Sequence, residues 1–206
     1  MSRMVDIETE RLILRKAKLK DSKELFLNCF SQKGVNKYLS WELHKTEEET
    51  KQFIFKIIER YMQEHEFAWV IEVKATGRVI GLIEVVNQSK YHKWAELGFE
   101  IGSEFWGLGF TTEAIKAVIK YMFFLNYERV QGMCHENNIA SEKAMLKSGM
   151  KFEGLLSRYG YNKRTGEVYN VKMFAVLNKE GLCKRRLRNL IKKDQLTQEE
   201  CLSMED

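Results

Sequence analysis

The sequence predicts a single α+β domain, built on a mixed and mostly antiparallel sheet of about seven strands with helices on both faces. Between residues 95 and 101, apolar side chains alternate with small or acidic ones, which is the period of a half-buried strand. From Thr111 onward, apolar residues recur at helical spacing instead. The chain has 206 residues, no proline and no Gly/Ser-rich linker, so nothing in it marks a boundary between two domains.

The segments before this stretch predict one strand, two helices and a hairpin. A strand is expected at 11–16, and Asp21 is expected to cap the helix that follows it. Thr46 and Glu49 form a capping box, in which each side chain satisfies a backbone donor of the other residue. Strands at 67–73 and 79–86 are expected to pair through a turn.

The segments after residue 95 predict a strand–helix–strand unit and a final hairpin. The predicted elements are a strand at 95–101, a helix at 111–125, a strand at 129–135, a short helix after Asn138, and strands at 152–161 and 168–177. The two strands joined by the 111–125 helix are expected to run parallel through a right-handed connection, whereas the rest of the sheet is expected to be antiparallel.

The loop between the first of these strands and its helix is rich in glycine. The first backbone N–H groups of a helix have no intrahelical partner, and Gly107 and Gly109 let a ligand approach the backbone closely. The loop lacks the Lys-Ser/Thr pair of nucleoside triphosphatases and the Gly-x-Gly-x-x-Gly spacing of dinucleotide-binding folds. It therefore indicates an anion site of another kind, although a Gly-Leu-Gly segment alone also fits an ordinary turn.

Three segments together resemble the GNAT acetyltransferases, in particular the type that acetylates the N-terminal alanine of ribosomal proteins. The first segment reads Trp-Gly-Leu-Gly-Phe-Thr-Thr-Glu-Ala at 106–114, the second reads Asn-Ile-Ala-Ser at 138–141 ahead of Gly-Met at 149–150, and the third reads Glu-Thr-Glu-Arg-Leu-Ile-Leu-Arg at 8–15. The resemblance spans residues 8–178, which we therefore predict to be one GNAT domain. Residues 179–206 are predicted to form a basic helix and an acidic tail.

The resemblance implies acetyl-CoA as co-substrate, with its pyrophosphate on the glycine-rich loop and its pantetheine arm along the 95–101 strand. It also implies that this strand and the 129–135 strand splay apart. Asn138 would hold the pantetheine amide, although its position also fits a helix N-cap. The implied coenzyme-binding residues are Phe99, Ile101, Gly107, Leu108, Gly109, Phe110, Thr111, Thr112 and Asn138.

The resemblance also implies a base and a proton donor. Glu96 stands where the family has a glutamate base, and Glu100, His135 or a water relay are the alternatives left open. The tyrosine that many family members use to protonate the thiolate is replaced by Met145. Ser141 matches the serine of the ribosomal-protein branch and is the predicted donor, although its hydroxyl could equally bond the backbone.

The composition of the chain limits the classes of partner and the cellular location that we expect. The apolar runs are too short for a membrane span, and the charged amino terminus lacks the apolar core of a signal peptide. The scattered cysteines indicate reduced thiols rather than a metal site, so we expect a cytoplasmic protein without a metal. A net charge of +5 is too small to indicate nucleic-acid binding, and the basic tail fits either an acidic partner or a helix packed on the body.

The predicted function is transfer of an acetyl group from acetyl-CoA to a primary amine, such as the N-terminus of a ribosomal protein. The alternatives are acetylation of a polyamine, amino acid or antibiotic, and a coenzyme-A-binding module that has lost its chemistry. The sequence also allows a homodimer.

Overall fold

The computed structural model describes residues 4–62 and 66–179. The strands are β1 (Ile7–Glu8), β2 (Leu12–Arg15), β3 (Ala68–Val73), β4 (Val79–Ser89), β5 (Trp94–Ile101), β6 (Arg129–His135), β7 (Lys151–Tyr161) and β8 (Val168–Leu177). The helices are α1 (Ser22–Leu25), which a π-helical turn extends to Phe30, α2 (Glu47–Arg60), α3 (Phe110–Phe124) and α4 (Ile139–Lys147). The predicted C-terminal basic helix and acidic tail lie outside the described residues, apart from Lys179.

The strands form one eight-stranded sheet in the order β1-β2-β3-β4-β5-β6-β8-β7. All neighbours are antiparallel except β5 and β6, which confirms the predicted mixed sheet with one parallel pair. The parallel ladder begins where Trp94 faces Arg129 and ends where Leu97 faces Gly132. Beyond this point the two strands separate, so the second half of β5 has a neighbour on one side only.

Alternate residues of the sheet pack against different helices. On one face, Arg60 at the end of α2 donates a hydrogen bond to Glu84 of β4 at 2.9 Å. On the other face, Trp69 of β3 meets Tyr121 of α3 with ring centroids 5.8 Å apart. Trp69 is fully buried, and both faces belong to one continuous core of buried side chains. This alternation positions α3, and hence the loop before it, beside the open edge of β5.

Two local predictions need correction. β1 was not predicted, because a two-residue strand carries no periodicity that a sequence pattern could reveal. Asp21 does precede α1, but its side chain does not cap that helix. Its carboxylate instead accepts hydrogen bonds from the Arg15 guanidinium at 2.8 and 2.9 Å. Both side chains are largely removed from water, and the carboxylate also accepts a hydrogen bond from the N–H of Lys18 at 2.7 Å, so its oxygens are engaged outside α1.

The predicted cap of α2 is present in altered form. The Thr46 hydroxyl accepts a hydrogen bond from the Glu49 N–H at 3.3 Å. The Glu49 carboxylate, however, accepts from the N–H of Lys45 at 2.8 Å, one residue before the expected donor. The first turn of α2 is thus stabilised by both residues of the predicted box.

Candidate active site

A cavity of about 430 Å³ lies where β5 and β6 separate. It is bounded by the end of β5, the start of α3, the start of α4 and the loop at 34–39. Five of the predicted site residues line it together, namely Phe99, Ile101, Thr111, Asn138 and Ser141. The structure therefore brings the motif segments at 106–114 and 138–141, about thirty residues apart along the chain, to the same cavity.

The edge of β5 that faces the cavity has free backbone N–H groups. The N–H of Gly102 donates to the carbonyl of Ile80 on β4 at 2.9 Å, and alternation along the strand then turns the N–H groups of Phe99 and Ile101 toward β6. The β5–β6 ladder has already ended at Leu97. This half of β5 can therefore pair with an extended amide-bearing chain, as a neighbouring strand would.

The glycine loop, residues 107–112, leads from this edge into α3. Gly109 is the N-cap of α3 and has a φ of 83°, and Gly107 has a φ of 77°, so both lie in the region that favours glycine. The first hydrogen bond of the helix runs from the N–H of Glu113 to the carbonyl of Gly109. Within the described residues, no backbone N–H of the glycine loop donates a hydrogen bond. These amides form a cluster of free donors at the positive end of a helix.

The two candidate glutamates lie on one face of β5 but have different surroundings. Glu96 accepts a hydrogen bond from the Gln131 side chain at 2.9 Å and does not line the cavity. Glu100 lines the cavity and is half-buried, and its side chain has no hydrogen bond or ion pair with any described residue. Desolvation, with a smaller contribution from the charge of Glu84, raises the pKa of Glu100 from 4.5 to about 8. A proton acceptor that titrates near neutrality thus faces the cavity at Glu100.

The start of α4 contributes Asn138 and Ser141. The Asn138 side-chain oxygen accepts a hydrogen bond from the N–H of Ser141 at 3.2 Å, which confirms that Asn138 is the N-cap of the helix. Among the described residues, neither the Asn138 amide nitrogen nor the Ser141 hydroxyl has a hydrogen-bond partner. Both groups therefore remain able to donate into the cavity. Met145, at the position of the family's tyrosine, is fully buried and is not among the residues that line the cavity.

His135 is held by its neighbours rather than directed at the cavity. Its Nδ1 accepts a hydrogen bond from the N–H of Asn137 at 3.0 Å, which leaves the proton of the neutral ring on Nε2. The ring stacks on Tyr169 with centroids 4.4 Å apart and contacts Tyr38 at 5.0 Å. His135 thus supports Tyr38, which does line the cavity.

Comparison with known proteins agrees with this geometry. Residues 11–151 match the family model described as an acetyltransferase (GNAT) domain. The uncharacterized N-acetyltransferase YoaA of Bacillus subtilis is 32% identical over 172 residues, which cover 83% of this chain and 96% of the relative. The chain belongs to the GNAT acetyltransferase family.

Solved structures share the GNAT fold of this chain. The structure of a putative ribosomal-protein-serine acetyltransferase from Vibrio cholerae superposes with a TM-score of 0.75 and 22% identity, covering 86% of this chain and all of the other. The microcin C7 self-immunity acetyltransferase MccE, solved in complex with acetyl-CoA and AMP, superposes with a TM-score of 0.74 and 22% identity. That alignment covers 82% of this chain and 94% of MccE.

Trp106 and Tyr38 line the cavity of this GNAT domain, although neither was predicted to bind the coenzyme or to act in catalysis. The Trp106 indole donates to the carbonyl of Ile101 at 2.8 Å, and its ring lies near Gly34, so it joins the glycine loop to the 34–39 loop. Tyr38 comes from a loop with no periodic pattern. The tryptophan was visible in the family motif, but only its contacts separate a cavity wall from core packing.

Within residues 4–62 and 66–179, no group of three or more His, Cys, Asp or Glu side chains could hold a metal ion. No helix in the same ranges is long and apolar enough to cross a membrane. Cys29 and Cys134 are free and buried.

Proposed function

We propose that this enzyme transfers the acetyl group of acetyl-CoA to a primary amine by direct attack of the amine within a ternary complex. The observation that carries this proposal is that a proton acceptor lines the same cavity as Thr111 of the glycine loop and the end of β5 that has no neighbouring strand on that side. The glycine loop supplies unpaired amides, β5 supplies an unpaired edge, and Glu100 supplies a carboxyl group that titrates near neutrality.

The residues around the cavity fit the coenzyme along its length. The amides of the glycine loop would hold the diphosphate, since they are unpaired and lie at the start of α3. The backbone of Phe99 and Ile101 would pair with the pantetheine arm, and the Asn138 amide nitrogen would donate to it from the opposite wall. Acetyl-CoA supplies the acetyl group as a thioester, which an amine can attack when its nitrogen is unprotonated.

We propose Glu100 as the general base. An α-amino group has a pKa near 8, so a carboxyl group with a pKa of about 8 can take its proton with little loss of driving force. Glu100 also lines the cavity, whereas Glu96 is engaged by Gln131. Glu96 remains the alternative base, reached through a water molecule.

We propose Ser141 as the donor to the departing sulfur. Its hydroxyl has no partner among the described residues, so it can rotate toward a thiolate in the cavity. The pKa of a thiol lies near 8.5, so the CoA thiolate is a good leaving group and a single hydrogen bond to it is sufficient. The buried position of Met145 supports this assignment, because no side chain at that place reaches the cavity.

For the acceptor we propose the N-terminal amine of a protein, with a small-molecule amine as the second candidate. The first is favoured by the sequence motifs and by the fold shared with a putative ribosomal-protein-serine acetyltransferase. The second is favoured by the equally similar fold of MccE, a microcin self-immunity enzyme.

The test is release of CoA thiol from acetyl-CoA by the purified protein with a panel of amines. The panel contains peptides with N-terminal alanine or serine, a polyamine, free amino acids and lysine peptides with blocked termini. We expect turnover with the N-terminal peptides, and mass spectrometry to place the acetyl group on the α-nitrogen. Turnover with the polyamine alone would favour the second candidate. Coenzyme binding without turnover of any amine would instead indicate a binding module.

A further inference from the structure

The turn between β1 and β2 lies against the glycine loop. The Arg11 guanidinium donates from Nη1 to the carbonyl of Leu108 at 2.9 Å, and from Nε to the carboxylate of Glu113 at 2.7 Å. The backbone N–H of Arg11 and the hydroxyl of Thr9 both donate to the other oxygen of Glu113, at 2.9 and 2.6 Å. These two residues belong to the opening motif at 8–15, to which the proposed chemistry assigns no role.

Glu113 lies in the first turn of α3, next to the free amides of the glycine loop. Burial acts to raise the pKa of Glu113, but hydrogen bonds from Thr9 and Arg11 outweigh it and lower that pKa, so the carboxylate is ionised at neutral pH. An uncompensated negative charge here would repel the phosphate groups of a ligand bound at the same helix end. Arg11 supplies the compensating charge and holds the carboxylate on the side of the β1–β2 turn.

The Arg11 guanidinium also restrains the loop itself. It lies 4.6 Å from the centre of the Phe110 ring, and its Nη2 lies 3.3 Å from the position that a Cβ on Gly109 would take. A single side chain therefore contacts Leu108 and Phe110 and lies beside Gly109. All of these contacts leave the amide N–H groups of the loop free.

We propose that Arg11 is a positioning residue for the phosphate-bearing part of acetyl-CoA. It holds the glycine loop in its ligand-ready conformation and cancels the charge of Glu113 at the helix N-terminus. This inference rests on the proposed function, since it assigns a role within the same coenzyme site.

The test is calorimetric titration with CoA of the wild type, Arg11→Met, Glu113→Gln and the double variant. We expect Arg11→Met to weaken CoA binding roughly tenfold, because both the loop contact and the compensating charge are lost. The double variant should recover the part of this loss that the charge of Glu113 causes, since it has no carboxylate left to compensate, and should therefore bind CoA more tightly than Arg11→Met. In the acetyl-transfer assay, Arg11→Met should raise KM for acetyl-CoA and leave kcat at saturation near the wild-type value.

Arg78→Met is the matched control. Arg78 is as exposed as Arg11, at 44% against 43% for the side chain, and it likewise stacks on an aromatic ring and pairs with a glutamate. It contacts Phe105 and Glu104 rather than the glycine loop, so its replacement should leave the Kd for CoA unchanged. If Arg11→Met does not fold, Arg11→Lys keeps the charge without the forked geometry and should weaken binding by a smaller factor.

The outcomes separate this inference from the function on which it rests. A wild type that binds no CoA would overturn both. A wild type that binds CoA, together with an Arg11→Met variant that binds equally well, would overturn the inference alone. A double variant as weak as Arg11→Met would show that Glu113 is not compensated by Arg11, which also contradicts the inference.

Discussion

Glu100 illustrates how the surroundings of a residue, rather than its type, determine its chemistry. Glu96 and Glu100 have the same side chain, lie on the same strand and face the same side of the sheet. One is hydrogen bonded to Gln131, and the other is desolvated at a cavity wall near Glu84. The second environment raises the pKa of the Glu100 carboxyl group to about 8, the range in which an amine loses its proton.

Replacement of each glutamate by glutamine tests the assignment of the base. We expect Glu100→Gln to lower kcat by roughly 10²–10⁴, the usual contribution of a positioned base, and Glu96→Gln to lower it far less. The wild-type rate should rise with pH through about 8, because Glu100 accepts a proton only when ionised. The measurement is the pH profile of both variants with one acceptor, so that titration of the amine is common to all. A larger loss in Glu96→Gln would return the role of base to that residue.

The same group predicts a pH dependence of stability. The pKa of Glu100 is raised on folding, so the native state holds a proton that the unfolded chain has lost between pH 4.5 and about 8. Its contribution to the free energy of unfolding is therefore present below pH 4.5 and is lost as pH rises through about 8. We expect Glu100→Gln to leave stability nearly unchanged at acidic pH and to raise it by about 1–3 kcal/mol at alkaline pH. Denaturant unfolding at both pH values measures this difference, and a variant less stable than the wild type at alkaline pH would contradict it.

At the scale of elements, the free end of α3 depends on the backbone conformation of its N-cap. Gly109 adopts a left-handed conformation, which turns the chain from the loop into α3. Because glycine has no side chain, nothing at this position stands between the amides and a ligand. An alanine there would be strained, and its Cβ would also come within 3.3 Å of Arg11 Nη2. Position 109 thus requires a residue that tolerates a positive φ and that has no side chain to displace Arg11.

Gly109→Ala and Gly77→Ala separate these two requirements. Gly77 has a φ of 68° in the β3–β4 turn, and a Cβ there would meet no atom within 4 Å. We expect each variant to lose roughly 1–2 kcal/mol of stability from left-handed strain. Only Gly109→Ala should weaken CoA binding, because it also displaces the loop. Thermal melting and calorimetry measure the two effects, and equal CoA affinity of the two variants would argue against a diphosphate site at this loop.

At the scale of the whole molecule, the cavity is closed by segments far apart in sequence. The turn between β7 and β8 reaches the 34–39 loop, where Arg164 Nη2 donates to the carbonyl of Asn36 at 3.2 Å. That loop carries Tyr38, Val35 and Leu39 along the cavity wall. The hydrogen bond thus connects the β7–β8 hairpin to the 34–39 loop, which lines the cavity.

We propose that the 34–39 loop contacts the acceptor amine, so loss of this hydrogen bond should affect the acceptor rather than the coenzyme. We expect Arg164→Ala to raise KM for the amine several-fold, since the 34–39 loop loses a restraint worth about 1 kcal/mol, and to leave the Kd for CoA unchanged. Lys163→Ala is the control, because the neighbouring lysine has no hydrogen bond or ion pair with a described residue. Steady-state kinetics with each substrate varied in turn would reveal the difference. A weaker CoA complex in Arg164→Ala would show that the loop serves the coenzyme as well.

Much of the fold was predictable because its signals are local. Alternation along β5, helical spacing in α3 and turn residues between the hairpins each depend on near neighbours in the chain. β1 was missed because a strand of two residues has no period. The prediction that the Asp21 side chain caps α1 was wrong, because Arg15 on β2 binds the same carboxylate. The family motifs identified the glycine loop, Asn138 and Ser141, and the structure brings the last two to the same cavity.

The sequence by itself determined the order of the elements, the family and the segment that carries free amides, since each is recorded in contiguous residues. Only the tertiary structure decided which glutamate faces the cavity, that Met145 is buried, and that Arg11 lies on the loop a hundred residues away. The reason is physical. Desolvation, burial and charge compensation depend on which groups lie close together in space, and long-range packing sets those distances.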